Sequence, residues 1–498
     1  LEKAAVAGEL TSGASTELAD LRDRHARGEL QNYITLLRPL PFYLGFTLIV
    51  GVYIVLGGMS AAAVNEGLQS LLIIVFSVLL IPVGLSAIGG WGELAKKVPG
   101  RMMDLFAGPE NSPWFIASVL LVSMVQIHAL SHNMTIFGSA KTEFAARFGV
   151  SGNYLKRFMI ILWAFTGLIA VALFGVGGLS DPDMAWGTMS NRLLGPGLVG
   201  LMLAGVLAGT MSTLAAKALA ISSLFVRNFY RHFRPQASDA QALRAARGTV
   251  VAVLALGVLA ALMMDNLQAI VVLVLTVNVP FGATIFLIFF WRRLTATAVW
   301  VAVLTSVLVI LVVPLIADHV PAVRAAPSLA VSGVDAGGRP VAVYWKQLVR
   351  SNPRDPTSAL EGRGRFNFEC WLLDRVGLNS PSLTPNQRET AQFFFDGLFP
   401  FVLLIGASYL TRRTEKARTD LFYGKMKTPV ADSPERDAEE MARTRREPTR
   451  FDDTKLFPRT DWEFARWTRV DAVGFVVCCA ISGGIVGLFV LLLKLASG

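Results

Sequence analysis

A long apolar stretch of this chain carries oxygen-bearing and small residues at its centre. From Pro196 to Tyr230 the sequence reads PGLVGLMLAGVLAGTMSTLAAKALAISSLFVRNFY. Backbone carbonyls and hydroxyls are uncharged oxygen ligands that suit a small hard cation such as sodium. Small residues and hydroxyls are equally common where membrane helices pack closely, so the chemistry alone leaves both interpretations open. The residues concerned are Gly205, Gly209, Thr210, Ser212 and Thr213.

A second apolar segment holds a dense group of hydrogen-bonding side chains in the sequence QIHALSHNMTIFGSAKTEF. Such a group could bind a polar solute or water, or it could be satisfied by packing. The two histidines are four residues apart, but without a third ligand nearby they are weak support for a metal site. We favour solute binding by the side chains of this group, which are Gln126, His128, Ser131, His132 and Asn133.

An acidic residue lies within a third apolar region, in the sequence GGMSAAAVNEGLQ. Glu66 and Gln69 are three residues apart and therefore share a helical face. An ionisable residue inside a membrane span is costly to bury and is a functional candidate. Alternatively, Glu66 lies near the N-terminus of its helix, where the helix dipole and water stabilise a carboxylate without any functional role.

Membrane helices would be needed to position these residues, and the composition of the chain indicates that such helices are present. Of the 498 residues 53% are hydrophobic and 16% are charged, and the mean hydropathy is +0.52. These values are typical of a polytopic membrane protein. The net charge of +10 does not indicate nucleic-acid binding, because lysine and arginine concentrate in alternate short loops, as the positive-inside rule expects. The three cysteines have no metal-ligand spacing.

About ten apolar segments are long enough to cross a bilayer whose hydrocarbon core is roughly 30 Å thick. The first two, at 40–59 and 61–88, are separated only by Gly57 and Gly58 and are expected to form a hairpin. Orientation by the basic loops places both ends of the chain outside. For the charged segment 411–470, we favour a solvated linker over a docking arm. The expected divisions are a polar extramembrane segment 1–39, a transmembrane core 40–317, an extracytoplasmic insertion 318–392, a transmembrane helix 393–410, a charged cytoplasmic segment 411–470 and a C-terminal transmembrane helix 471–498.

The central stretch resembles the sodium-binding helix of the sodium:solute symporter family. The resemblance lies in Gly-Leu-x-x-Ala-Gly-x-x-Ala-x-x-Met-Ser-Thr-Leu, which continues through Ile221 to a basic end. It implies that sodium is held by the carbonyl of Gly209 and the hydroxyls of Ser212 and Thr213. It also implies an all-α fold like that of the leucine transporter, with two inverted five-helix repeats and the solute near the membrane midplane.

Two other motifs extend this resemblance. The ungapped match of GGMSAAAVNEGLQ implies that Glu66 and Gln69 act in coupling or gating, and Ala140-Lys141-Thr142 is similar to a run that follows the family's solute-binding helix. The hairpin corresponds to the fourth and fifth core helices of the family. We therefore expect that the first three lie outside this sequence, either because the chain is a fragment or because another chain supplies them.

Lys217 is the main departure from the family pattern on the central helix. It follows Thr213 by four residues and therefore faces the same way. Its ammonium group could replace a sodium ion electrostatically, which would mark a proton-linked or ion-independent variant. We favour the alternative, in which the long side chain extends towards cytoplasmic water or headgroups.

The expected function is sodium-coupled symport of a small organic solute by alternating access, with a co-transported sodium ion and no enzymatic chemistry. The expected location is the cell's inner (plasma) membrane, which the chain crosses several times. The alternative is a transporter-derived sensor or structural subunit that reports ligand binding to partners through the charged segment. The identity of the solute remains open.

Overall fold

The computed structural model describes most of the chain from residue 39 onwards. Nothing is said of the side chains at 58–68, 73, 76–77, 153, 155, 334, 340 and 497. Part of the predicted solute-binding group, at residues 131–133, lies outside the described residues. The described residues are 13–14, 16–18, 20–21, 39–104, 112–130, 138, 140, 142–179, 182–262, 273–274, 276–334, 340–352, 355, 357–431 and 433–497.

The described chain is mainly helical, as the composition predicts. The longer α-helices, in chain order, are α1 (Pro39–Ile88), α2 (Trp91–Lys97), α3 (Pro113–Gln126), α4 (Glu143–Ser151), α5 (Asn153–Phe174), α6 (Ala185–Leu193), α7 (Pro196–Phe225), α8 (Asp239–Leu262), α9 (Val279–Phe290), α10 (Ala296–Val307), α11 (Phe368–Arg375), α12 (Pro385–Leu410), α13 (Lys416–Lys427), α14 (Pro434–Arg446) and α15 (Arg469–Ser497).

Short helical turns extend or connect these helices. A π-helical turn and a short helix continue α7 (Val226–Tyr230, Arg231–Phe233). Another π-helical turn and two short helices continue α10 (Leu308–Val312, Val313–Ile316, Ala317–His319) and are followed by Pro321–Arg324. The 3₁₀ turns elsewhere are Gly100–Met102, Ile127–Ala129, Pro182–Met184, Ser380–Ser382 and Asp452–Thr454.

Seven described helices are long and apolar enough to cross a membrane, or eight if the bent pair Val78–Ile88 and Trp91–Lys97 is one span. Two shorter apolar helices, Pro113–Ala129 and Val279–Phe290, lie where the third and seventh spans are predicted. The chain is therefore a multi-pass membrane protein with a mostly helical fold.

The predicted hairpin at the start of the membrane region is wrong. The backbone is helical without interruption from Pro39 to Ile88, so Gly57 and Gly58 lie inside one helix. A glycine costs a helix only about 1 kcal/mol, and the alanines that follow favour helix. At about 1.5 Å per residue α1 is about 75 Å long, so a single crossing takes up only part of it.

The chain divides into two compact units, which are described separately. The first unit comprises Leu1–Ile34, Pro109–Leu130 and Gln268–Arg466, and the second comprises Thr35–Gly108, Ser131–Leu267 and Trp467–Gly498. In the second unit α7 packs against α1 and α8. Small residues such as Ala215 and Ala218 on α7 allow Val50 and Leu254 to approach closely. A second cluster joins the C-terminal part of α1 to α2, α5, α6 and α15.

In the first unit, α3, α9, α10 and α12 bury one apolar core around Val122, Ala283, Ala302 and Leu404. Serine and threonine residues begin three of these helices in the way expected of N-caps. Ser112 accepts from Phe115 N (3.2 Å), and Thr295 accepts from Ala298 N (3.2 Å). Thr384 forms a capping box with Gln387, which fixes where α12 begins.

The segment between α10 and α12 contains two small antiparallel sheets. Strand β1 (Ser332–Val334) pairs with β2 (Pro340–Ala342), with Gly333 opposite Val341. Strand β3 (Trp345–Arg350) pairs with β4 (Leu360–Phe366), with Leu348 opposite Gly362 and an irregularity near Trp345. Within the sequence FNFECWLLDRVGL the chain forms helix α11. These elements share an apolar core around Trp345, so the insertion is folded.

The charged segment after α12 is also folded, so the expectation of a solvated linker is wrong. Helices α13 and α14 pack together, and Tyr423 and Thr444 are buried. The following chain meets the end of α9 through its backbone, because Glu463 N donates to Phe290 O (2.8 Å) and Arg292 N donates to Asp461 O (2.8 Å). The pattern of mixed charges did not reveal these contacts, since it is equally typical of a solvated helix.

A cluster of ion pairs, here named the Arg292 cluster, holds this segment to α9. Arg292 binds Asp420 (2.7 Å), Asp452 (2.6 Å) and Glu463, and Glu463 also lies near Lys427 (2.6 Å) and Lys455 (3.1 Å). Three cations thus meet three carboxylates. Such a cluster is stable only when each charge keeps its partners.

The titration of Glu463 shows how these ion pairs act. Burial alone would raise the pKa of Glu463, but Lys427, Lys455 and Arg292 outweigh it and hold the pKa below the ordinary value of 4.5. The contribution of Glu463 to stability is therefore full above about pH 4.5 and is lost as the pH falls through the lowered pKa.

Replacing Arg292 by alanine should release the charged segment from α9. Removal of one partner leaves buried carboxylates uncompensated, which typically costs about 3–5 kcal/mol. We expect a lower thermal midpoint in detergent and faster trypsin cleavage between residues 412 and 469. Arg412→Ala is the matched control, because Arg412 is an exposed arginine at the start of the charged segment and lies outside the Arg292 cluster. Equal cleavage rates for the two variants would contradict the role assigned to the Arg292 cluster.

Candidate ion and solute sites

The predicted sodium ligands lie together on the middle of α7. Thr213 Oγ1 donates to Gly209 O at 3.2 Å, which brings two of the three predicted oxygen ligands into contact. Ser212 precedes Thr213 and is half-buried. Neighbouring oxygens around a hard cation at 2.3–2.6 Å lie about 3.3–3.7 Å apart. The spacing of Gly209 O and Thr213 Oγ1 therefore fits shared coordination of a cation with little adjustment.

These oxygens lie at the edge of the face that α7 packs against its neighbours. The packed face runs along Gly205, Ala208, Ala215 and Ala218, which are buried. Tyr53 from α1 donates its hydroxyl to Met211 O (3.3 Å), one residue before Ser212. Close helix packing therefore explains the alanines and Gly205.

Thr210 and Thr213 are exposed within the described chain, so helix packing does not explain them. Each hydroxyl bonds back to its own helix, Thr210 to Val206 O (3.1 Å) and Thr213 to Gly209 O. Back-bonding of this kind satisfies a hydroxyl beside lipid. A cation that reached Thr213 would compete with a single local hydrogen bond.

Lys217 lies one helical turn beyond Thr213 and is also exposed. The two side chains therefore share a face of α7, as their spacing predicts. In the described ranges Lys217 forms no ion pair. Its long aliphatic chain is consequently free to extend along the helix towards the basic residues at the end of α7.

The amide of Gln69 is buried in α1, with 5% of the residue exposed. Its Oε1 atom has no hydrogen-bond partner among the described residues. A buried amide oxygen without a donor costs about 1–3 kcal/mol, so it is a position where a ligand or water would be stabilised. The side chain of Glu66 lies outside the described residues.

Gln126 and His128 lie at the end of α3, where the α-helix changes to the 3₁₀ turn Ile127–Ala129. Gln126 Oε1 is buried without a partner in the described ranges. The ring of His128 contacts Phe286 edge-on, with 5.7 Å between centroids, and its Nδ1 lies 3.4 Å from Val125 O. Gln126 thus offers a hydrogen-bonding atom, while His128 is partly satisfied by packing.

Ser131, His132 and Asn133, the other members of the predicted solute-binding group, lie outside the described residues. Gln126 and His128 belong to the first unit and Gly209, Ser212 and Thr213 to the second. The described residues hold no group of three or more histidine, cysteine, aspartate or glutamate side chains arranged for a metal ion.

Pro280, Phe281 and Gly282 interrupt an apolar run in the sequence, a pattern that fits either a gating hinge or a simple kink. In the structure a Cβ atom at Gly282 would lie 2.1 Å from Val125 O and 3.2 Å from the Cα of Gln126. Gly282 therefore sets how closely α9 approaches the end of α3. The spacing of small residues typical of helix contacts could have indicated this.

Asp396 is a second residue whose role the sequence reasoning missed. It lies in FFFDGLFPF, inside the helix predicted to span the membrane at 393–410, and the structure buries it completely. A carboxylate in an apolar span is a signal readable from the sequence. Because Asp396 is close to the predicted start of the span at residue 393, the sequence does not show whether the carboxylate reaches water.

The described chain thus has several apolar helices long enough to cross a membrane, and α7 carries the oxygen atoms predicted to bind sodium. The profile of the sodium:solute symporter family matches residues 42–306, more than half of the chain. The chain belongs to the sodium:solute symporter family. Membership confirms the resemblance of the central helix, implies a fold like that of the leucine transporter, and agrees with the expectation that the protein is not an enzyme.

Curated relatives of the chain are proline transporters. The high-affinity proline transporter PutP of Bacillus subtilis (strain 168) is 26% identical over 270 residues, which cover 51% of this chain and 56% of the relative. The osmoregulated proline transporter OpuE of the same strain is 26% identical over 278 residues, with 53% and 55% covered. A sodium/proline symporter of Staphylococcus aureus (strain RF122 / ET3-1) is 26% identical over 206 residues, 39% of each chain. The chain thus spans about half or less of the length of these relatives.

Replacing Gly282 by alanine should separate α9 from α3. The added methyl group would overlap the Val125 carbonyl, and overpacking of this kind typically costs about 1–3 kcal/mol. We expect a lower thermal midpoint in detergent. Gly406→Ala on α12 is the control, because no atom lies within 4 Å of its added Cβ and alanine favours helix. A Gly282→Ala protein as stable as Gly406→Ala would show that the contact is not tight.

Proposed function

We propose that this protein is a sodium-coupled secondary active transporter that takes up a small organic solute by alternating access. Family membership supports the class of protein, and the contact between Gly209 O and Thr213 Oγ1 on α7 is the observation that carries the sodium site. Sodium favours an outward-open state when it binds, so its gradient can drive solute uptake. The proposed location is the inner (plasma) membrane of the cell.

Sodium would be held by the Gly209 carbonyl and the hydroxyls of Ser212 and Thr213. A hydroxyl has one donor hydrogen and two acceptor lone pairs, so rotation of the Thr213 hydroxyl would free Gly209 O and present a lone pair to the ion. The Ser212 hydroxyl lies beside them on α7 and is half-buried. Sodium binding at this site would break the weak hydrogen bond between Thr213 and Gly209.

The solute would be bound by the polar end of α3. Gln126 offers a buried amide oxygen without a partner in the described chain, and His128 adds a ring nitrogen. The remaining proposed contacts are Ser131, His132 and Asn133. Because the relatives named above are proline transporters, proline is the first solute to test.

Glu66, Gln69 and Lys217 are proposed to act in coupling or gating. The unpartnered amide oxygen of Gln69 supports this proposal, because a buried acceptor favours a state in which an ion or water reaches it. Lys217 shares the exposed face of α7 with Thr213, so its charge is near the path of an ion that leaves Thr213. The proposed partners are the solute, the sodium ion, the bilayer and another chain that supplies further helices.

Ser212→Ala combined with Thr213→Ala should abolish sodium-dependent uptake of labelled proline by the full-length protein in proteoliposomes. Loss of two ligands, each worth about 1–2 kcal/mol, should weaken sodium activation by about 30- to 900-fold. Thr210→Ala is the matched control, since Thr210 is also exposed and back-bonded but lies off the proposed site. Unchanged sodium activation in the double variant would overturn the proposed sodium site.

The same experiment distinguishes the second candidate function, a sensor or structural subunit. This candidate is favoured by the folded segment held at the end of α9 by the Arg292 cluster, since a folded segment offers a surface for partners. A sensor would bind solute without sodium-driven accumulation. Binding of proline with no uptake by the wild-type protein would therefore favour the sensor.

Lys217→Ala separates the two interpretations of the lysine. If the ammonium group extends towards water, sodium activation of uptake should change less than about twofold, because an exposed charge contributes little. If the ammonium group replaces sodium, the variant should gain or strengthen its sodium dependence. Uptake measured over a range of sodium concentrations at constant ionic strength decides between them.

A further inference from the structure

Asp396 is a buried carboxyl group that the proposed transport mechanism does not use. It lies eleven residues after Pro385 in α12, next to Gly397, which packs against Leu121 of α3. None of its surface is exposed, and no cationic side chain in the described chain hydrogen-bonds to its carboxylate; the neutral amide of Gln392, four residues earlier on α12, is its side-chain hydrogen-bond partner. Burying an ionised carboxylate without a cationic partner is very costly, so this group needs something that neutralises it.

The charged groups that act electrostatically on Asp396 are Glu369 of α11 and Arg365 of β4. Glu369 is also fully buried, and Arg365 pairs with it. Arg365 further donates to Asn367 Oδ1 (3.2 Å) and to the carbonyl of Ile310 (3.4 Å) in the π-helical turn after α10. With its amide oxygen turned to the guanidinium, Gln392 accepts from both terminal nitrogens (3.0 and 3.2 Å). The donors of Arg365 are therefore directed at partners other than Asp396.

The helices packed on α12 add no charge here. The sequences of α3, α9 and α10 contain no ionisable side chain. Their polar side chains carry only hydroxyl, amide or indole groups. On α12 itself, Arg388 donates to the carbonyls of Leu383 and Ala342, and Glu389 is the remaining acid. One guanidinium thus faces two buried carboxyl groups, which leaves one negative charge uncompensated if both are ionised.

A proton neutralises this charge better than a metal ion would. A hard cation needs about six oxygen ligands, whereas the carboxylate of Glu369 is already bound to Arg365 and the guanidinium would repel a cation. A proton needs only the carboxyl group itself. Two buried carboxyl groups close together commonly share one proton for this reason.

We propose that Asp396 is a proton-binding site, occupied in the folded protein, beside the Arg365–Glu369 ion pair. Release of the proton places a second carboxylate next to Arg365, which then has two competing partners. Arg365 joins β4 to α11 and to the turn after α10, so its choice of partner couples protonation of Asp396 to the packing of the insertion on α12. This site lies outside residues 42–306 and does not depend on the proposed sodium site.

Glu369 is the other group that could take the proton. Burial raises the pKa of Glu369, and the charge of Arg365 opposes that rise. Because Glu369 is bound to Arg365 and Asp396 is bound to no cation, the proton belongs on Asp396. Glu369→Gln would release Arg365 to pair with Asp396, so the proton should be lost in that variant.

Infrared spectroscopy of the detergent-solubilised full-length protein tests the proposal, because a protonated carboxyl group has its own carbonyl stretch that shifts in D₂O. We expect this band in the wild-type protein at neutral pH and in the control Asp355→Asn, which changes a half-buried carboxylate of the insertion that accepts from Thr357. We expect Asp396→Asn to lack the band. Its presence in Asp396→Asn, or its absence from the wild-type protein, would overturn the proposal.

A second measurement covers the case in which the spectra are crowded. A folded state that holds one more proton than the unfolded chain loses stability as the pH rises, by up to about tenfold in the folding equilibrium per pH unit. The thermal midpoint of the wild-type protein should fall relative to Asp396→Asn between neutral and alkaline pH. Parallel midpoints would contradict the proposal, and so would a midpoint set by sodium or potassium at constant ionic strength, which would assign a cation to the site.

Discussion

A polar group placed in hydrocarbon must find its partner within the protein, and most of this structure follows from that constraint. Water is absent there, so an unpaired group costs several kcal/mol. Thr210 and Thr213 on α7 meet the constraint by bonding to their own helix, and Ser222 meets it by donating to Ala246 O of α8 (2.9 Å). The amides of Gln69 and Gln126 do not meet it within the described chain, and both lie in the motifs that resemble the family's functional helices.

Charged side chains stabilise the segment that follows α12. The Arg292 cluster places three cations and three carboxylates at the end of α9, where the folded segment returns to the helix. Tyr423 adds a hydrogen bond to Ile288 O (2.7 Å), and burial raises its pKa, so the phenol remains a donor. Motion of α9 would therefore be transmitted to this segment as a change in ion pairing.

The two faces of α7 allow the proposed sodium site and a packing surface to share one helix. Alanines and Gly205 bring α1 and α8 close, whereas Thr213 and Lys217 point away from them. A site at the border between these faces can be completed from the open side without disturbing the packed core. Since the chain spans about half of the length of its relatives, the group that faces this side is a question for the full-length protein.

The sequence by itself determined the membrane class, the family and the position of most helices. These follow from local properties, namely long apolar runs, basic loops and a motif of glycine, serine and threonine whose spacing is fixed by the helix. Tertiary structure decided what the charged residues do, because partners such as Arg292 and Glu463 are 171 residues apart and no local pattern connects them. It also decided that Gly57 and Gly58 continue a helix and that Asp396 is sealed beside Arg365, since both depend on what packs around the chain.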